Sequence, residues 1–139
     1  MKNKITQACL LVVLAIGLLV SAHAQTPEYQ VHIPFEFHAG DKTLPAGDYV
    51  IAMVDFVESR NVLTIREAKN EKSQTIMFSP KSSKDPVETS ELVFNNYDKQ
   101  YFLAEIMTPT IYGEFSRTRA ETRLAETQTS ERVTVTMKK

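Results

Sequence analysis

His32, Glu36 and His38 are the first residues whose types and spacing could build a reactive site. On an extended strand all three face one side, and at roughly 3.3 Å per residue Glu36 and His38 stand about 7 Å apart, within reach of a shared metal ion. By the same rise His32 is about 20 Å from His38, so one ion cannot take both. A zinc centre would need ligands from other strands, and beyond residue 24 the chain offers no further histidine and no cysteine. The three therefore read as a solvated polar face. Nucleophilic catalysis is no better served. No serine stands in a Gly-x-Ser-x-Gly elbow, and both histidines fall on one short strand. The carboxylate pairs Asp55 with Glu58 and Glu88 with Glu91 sit in or beside turns, where such groups are solvated rather than buried and tuned for proton transfer. Gly40, Gly47 and Gly113, the only glycines beyond residue 24, are too scattered to cradle a phosphate. The expectation is a non-enzyme with no catalytic, cofactor-binding or metal-ligating residue.

Two further clusters have a local logic. In Leu44-Pro45-Ala46-Gly47-Asp48-Tyr49, proline sets φ at the start of a turn, glycine takes the positive φ and tyrosine enters the next strand. A tyrosine in that place can bond its hydroxyl back to nearby backbone and lock a corner. A sortase signal begins with similar letters, but it sits near the C-terminus before an apolar anchor, and this motif has neither. Tyr97, Tyr101, Phe102, Tyr112 and Phe115 gather in the last third, ahead of Arg117, Arg119 and Arg123. They line either a ligand groove beneath an arginine-bearing helix or, as such aromatics more often do, the core and its hairpin pairs.

The elements that position these residues are strands. Residues 31–38 alternate with period two, and Pro34, lacking an N–H, marks an edge strand. Ala39-Gly40-Asp41-Lys42 supplies turn chemistry. Residues 49–57 are apolar on both faces, which suits a central strand covered on both sides. Residues 62–67 and 74–79, with Ile76 and Phe78 on one face, continue an antiparallel meander through short hairpins at 59–61 and 69–72. Residues 80–90 form the longest polar stretch and read as a loop. Residues 92–95 and 101–108 make another hairpin across Asn96-Tyr97-Asp98-Lys99, with Phe102, Ala104 and Ile106 on one face. Residues 115–129 lack β-branched aliphatic side chains, and Thr118-Arg119-Ala120-Glu121 fits a capping box, with Ala120 and Leu124 four apart on one helix face. Residues 132–137 return to alternation, with Val133, Val135 and Met137 on one side.

The first 24 residues have a different character. Lys2 and Lys4 give a positive start, 5–20 is an apolar run interrupted by Thr6 and Gln7, and Ala22-His23-Ala24 supplies a small-x-small pattern. The run is shorter than the ~20 residues a spanning helix needs, and polar residues follow it at once. Residues 1–24 are therefore expected to be a signal peptide cleaved after Ala24, leaving no membrane span. Cys9 stands at the beginning of the run, whereas a lipid-accepting cysteine would stand at its end. What remains is a single β-rich domain, 25–139, of 115 residues, near the commonest domain size. It contains no cysteine, so packing alone must hold it. Losing Lys2 and Lys4 moves the formal net charge from −1 to −3, and with no basic block longer than two residues, nucleic acid and anionic membrane surfaces are not expected partners.

Ile33-Pro34-Phe35-Glu36-Phe37, followed by Gly40, Lys42 and Leu44-Pro45-Ala46-Gly47-Asp48-Tyr49, and later Tyr101-Phe102-Leu103 and Ser116-Arg117-Thr118-Arg119-Ala120-Glu121, resemble a family of small, uncharacterised exported bacterial proteins found in several copies in some soil bacteria. The likeness spans most of 25–139. It implies a common β fold and an envelope location, and it carries over no cofactor and no catalytic residue. The expected fold is mainly β, an antiparallel sandwich or barrel of about seven strands with one short C-terminal helix. The expected role is non-enzymatic binding or structural support in the cell envelope or outside the cell, periplasmic or extracellular. The alternative is a small β-barrel carrier of an apolar ligand. A large apolar cavity would favour the carrier, and a filled core with exposed apolar patches would favour protein contacts. A cleft in which a histidine meets an acid and a nucleophile would revive a hydrolase.

Overall fold

The computed structural model describes residues 26–54, 61–70, 72–82 and 87–139. The expected signal with Cys9 lies outside them, as do Asp55, Phe56, Val57, Glu58, Ser59, Arg60, Glu71 and 83–86.

The elements in chain order are β1 (Glu28–Ile33), β2 (Phe37–Ala39), β3 (Lys42–Leu44), β4 (Gly47–Met53), β5 (Val62–Glu67), β6 (Ser73–Pro80), β7 (Ser90–Tyr97), β8 (Gln100–Met107), β9 (Tyr112–Phe115), α1 (Arg119–Thr127) and β10 (Glu131–Met137). The fold is mainly β with one helix near the C-terminus, as the periodicity predicts, but the described residues form ten strands rather than about seven. The first expected strand breaks at Pro34, which cannot donate to a ladder, so its two halves become β1 and β2 with different partners. Lys42, expected in a turn, begins β3, which folds back on β2 across Gly40 at φ 61°. The third addition, β9, is too short and too glycine-marked to show a period.

The strands form one sheet in the order β1-β4-β5-β6-β9-β8, after which β8 carries β2-β3 on the β9 side and β7-β10 on the other. Every pair is antiparallel except β2 with β8. The sheet is open, yet its far ends approach. Gln30 N–H donates to Lys138 O at 2.7 Å and Lys138 N–H to Gln30 O at 2.8 Å, a single bridge between β1 and the end of β10. One core lies inside this curl, with Tyr29, Val31 and Ile33, Phe37, Tyr49 and Ile51, Leu63 and Ile65, Phe78, Leu92 and Phe94, Ile106, Phe115 and Met137 drawn from nine strands.

Two sequence-based face assignments change. β4 is central, between β1 and β5, but only Tyr49, Ile51 and Met53 are buried, and Val50, Ala52 and Val54 stay partly exposed on the outer face. Within β7-β8 a register shift between Val93 and Phe94 pairs Val93 with Glu105 and Phe94 with Leu103, so Ala104 is an extra residue. This bulge breaks the alternation and puts Phe102 and Ile106 on opposite faces. The hairpin also closes later than expected. Asp98 (φ 47°) and Lys99 (φ 69°) alone form the turn, with positive φ at both central positions. Asn96 and Tyr97 belong to β7.

Candidate functional site

The polar face read from 31–38 divides between two strands. His32 on β1 lies opposite Asp48 on β4, and its Nδ1 donates to Asp48 Oδ1 at 2.7 Å. His38 on β2 bonds Thr43 through Nδ1 at 3.0 Å and stacks on Phe102 with ring centroids 4.4 Å apart. Glu36 is exposed between them. Among the described residues no three His, Cys, Asp or Glu side chains converge as a metal cluster. The histidine–acid pair borders a shallow cleft of about 420 Å³ with Gln30, Tyr49, Thr136 and Lys138. In a catalytic triad the acid is buried behind the histidine and holds its tautomer. His32 and Asp48 are 68 % and 60 % exposed, so water competes for every bond they make, and they act as a cross-strand clasp.

The turn before β4 keeps its tyrosine bond but not its expected glycine: Gly47 does not take positive φ and instead begins β4 opposite Ile33. The Tyr49 hydroxyl donates to Pro45 O at 2.6 Å. Tyr49 is only 2 % exposed, and burial, followed by the nearby Glu67 carboxylate, pushes its pKa up to about 12. Its ring meets Phe37 edge-on at 5.4 Å, and Phe37 meets Phe94 at 5.4 Å. Aromatic side chains thus occupy the centre of the molecule.

The aromatic cluster of the last third is split by the sheet. Tyr101 stacks on Phe35 at 3.8 Å and Phe115 meets Phe78 at 6.1 Å, both against the main core. Tyr97 and Phe102, 5.9 Å apart, are buried outside the main core cluster. Thr118 caps α1 by accepting from Glu121 N–H at 3.1 Å, half of the capping box. The other half is absent because the Glu121 carboxylate turns to the sheet, accepting from Asn95 Nδ2 at 2.8 Å and Tyr97 Oη at 3.4 Å. Glu121 is 3 % exposed and is the buried residue of α1, where Ala120 was the expected apolar contact. Arg117 approaches the same carboxylate at 3.9 Å. Arg119 borders a cleft of about 450 Å³ with His38, Asp41 and Phe102, while Arg123 is exposed. Sequence reasoning found the cap but missed the anchor, whose partners lie 24 and 26 residues away.

The outer surface has two contrasting zones. Glu105 and Glu114 are directly opposed across β8-β9, an arrangement that like charges disfavour. Each acid has a cation: Arg132 Nη2 stands 2.6 Å from Glu105, and Lys81 Nζ 2.6 Å from Glu114. The hydrogen bond to Lys81 and its charge hold the Glu114 carboxyl below its ordinary value. Across β4-β5-β6 two outward rows are uncharged, beside the row in which Arg66 stands between Val50 and Ser73 and faces Glu28 at 3.7 Å. Val54 N–H donates to Val62 O at 3.1 Å, and Val62 pairs with Met77, giving an outward row Val54–Val62–Met77. Ala52, Thr64 and Thr75 form the next row. Met77 is 72 % exposed, the one large apolar side chain so exposed among the described residues. No residue of this zone carries a motif, so sequence reasoning did not select it. Its signal is the uncharged stretch 73–80. No protein-family model, curated protein or solved structure matches the chain.

Proposed function

We propose that this chain is an exported, non-enzymatic domain that works by surface contact with a protein in the cell envelope or outside the cell. The observation that carries the reading is the outward apolar row Val54–Val62–Met77, with Met77 left 72 % exposed. Exposed apolar side chains grouped on one face mark contact surfaces. The Ala22-His23-Ala24 pattern and the family resemblance support the exported location. Occupation of the interior by Phe37, Tyr49 and Phe94 weighs toward contact and against the carrier of an apolar ligand, which needs a concave apolar space. A photo-crosslinking residue placed at Met77 in exporting cells tests the reading. Discrete protein adducts at Met77, absent when the same group replaces Arg123, are the expected result. Equal labelling at both positions, or none at either, contradicts it.

A further inference from the structure

The first half of β6 is bonded on one edge only. Residues 73–77 pair with β5, from Arg66↔Ser73 to Val62↔Met77, whereas β9 takes Phe78, Ser79 and Pro80 on the opposite edge. Hydrogen-bond parity identifies the groups left over. Phe78 N–H donates to Asn61 O at 2.9 Å, and Glu67 N–H to Lys72 O at 2.9 Å, so the even-numbered residues of β6 address β5. Ser73, Thr75 and Met77 therefore turn their N–H and C=O groups the other way, along about 17 Å of edge that no described strand covers, where the Thr75 carbonyl accepts only from the exposed Gln74 side chain at 3.4 Å.

Folded proteins blunt free edges with charge, proline or brevity. β3 has three residues and carries Lys42, and β10 begins with Glu131 and Arg132. Residues 73–79 carry no charge, and Pro80 lies past the free stretch. We infer that this edge pairs antiparallel with the same edge of a second copy of the chain. The inference rests on the surface-contact reading above and names its partner. Charge selects the occupant. The chain is net negative, so copies repel unless the surfaces that meet are neutral, and this one is. A two-fold axis at Thr75 sets Thr75 against its own copy and Ser73 against Met77, bringing no like charges together and making about six main-chain hydrogen bonds. Such pairing is isologous, so it closes as a dimer and does not propagate. It also joins the two β4-β5-β6 layers into one continuous sheet with a Met77 on each side of the axis. So short a contact makes a weak, reversible dimer.

Sedimentation velocity of the exported protein, from ~1 to ~500 µM, tests this. The wild-type chain is expected to pass from monomer to dimer. Thr75→Pro removes an N–H that faces the free edge and none that serves β5, and Thr75→Lys sets two cations against each other at the axis. Both should weaken the dimer at least about tenfold while leaving the far-ultraviolet circular dichroism unchanged. Thr75→Cys in the exported protein should form a disulfide dimer on mild oxidation, and Thr129→Cys should not. A monomer throughout the range, or a dimer that neither Thr75 variant weakens, overturns the inference. If the chain is monomeric while Met77 still crosslinks a different protein in cells, self-pairing fails and surface contact stands. If Met77 captures nothing either, both fail.

Discussion

At the residue scale, Tyr49 joins local sequence to core stability. Its hydroxyl bond to Pro45 O is worth about 1 kcal/mol at neutral pH, and Tyr49→Phe should lower unfolding free energy by about that amount in urea titrations at pH 8. The folded pKa of about 12 lies above the unfolded value near 10. The neutral phenol therefore contributes fully below pH 10, and the contribution falls as pH rises from about 10 to about 12. The advantage of wild type over Tyr49→Phe should vanish near pH 11; an unchanged gap there would show that the hydroxyl is not held as described. Gly113 illustrates a second constraint. The Phe78 ring lies over it, and a methyl group at 113 would overlap that ring. Gly113→Ala should cost about 1–3 kcal/mol in thermal denaturation, with part restored by adding Phe78→Leu. Tyr49 was legible because turn, proline and acceptor lie within five residues. Gly113 was not, since its reason is a ring from another strand.

At the scale of elements, α1 is held by a polar anchor instead of an apolar stripe. Glu121 accepts from Asn95 and Tyr97 in a site that excludes water, so removing the acceptor leaves two buried donors unpaired. Glu121→Ala should destabilise the chain by about 1–3 kcal/mol. Hydrogen exchange should rise first in α1 and in the backbone of Asn95 and Tyr97, with β4-β5 unaffected. A uniform loss of protection would contradict the local anchor. The capping box was readable because Thr118 and Glu121 are three apart, yet the carboxylate's destination was not, because only the fold brings β7 under the helix. The strands show the same division. Val62–Glu67 and Glu131–Met137 follow clean alternation, and the sequence-based limits agree to within a residue. β7-β8 misled because the bulge at Ala104 offsets the period and because Asp98 and Lys99 form, without glycine, a turn that usually signals itself by glycine.

At the scale of the whole molecule, composition and periodicity made a mainly β chain legible, but the way the sheet meets itself was not. That depends on β6 serving β5 with one half and β9 with the other, and on one bridge between Gln30 and Lys138. The candidate residues fared similarly. His32 and His38 drew attention by type, and the fold disperses them into separate surface pairs. The uncharged face around Met77 has no motif and emerges only when three strands are laid side by side. On the proposed reading this domain acts by protein contact on that face and does not carry a small ligand. Native mass spectrometry of the protein released gently from its own cell envelope tests it most directly. The expected masses are those of protein assemblies, a dimer or a complex with another chain, which Met77→Lys converts to the free monomer. A monomer that retains a lipid-sized mass would contradict it.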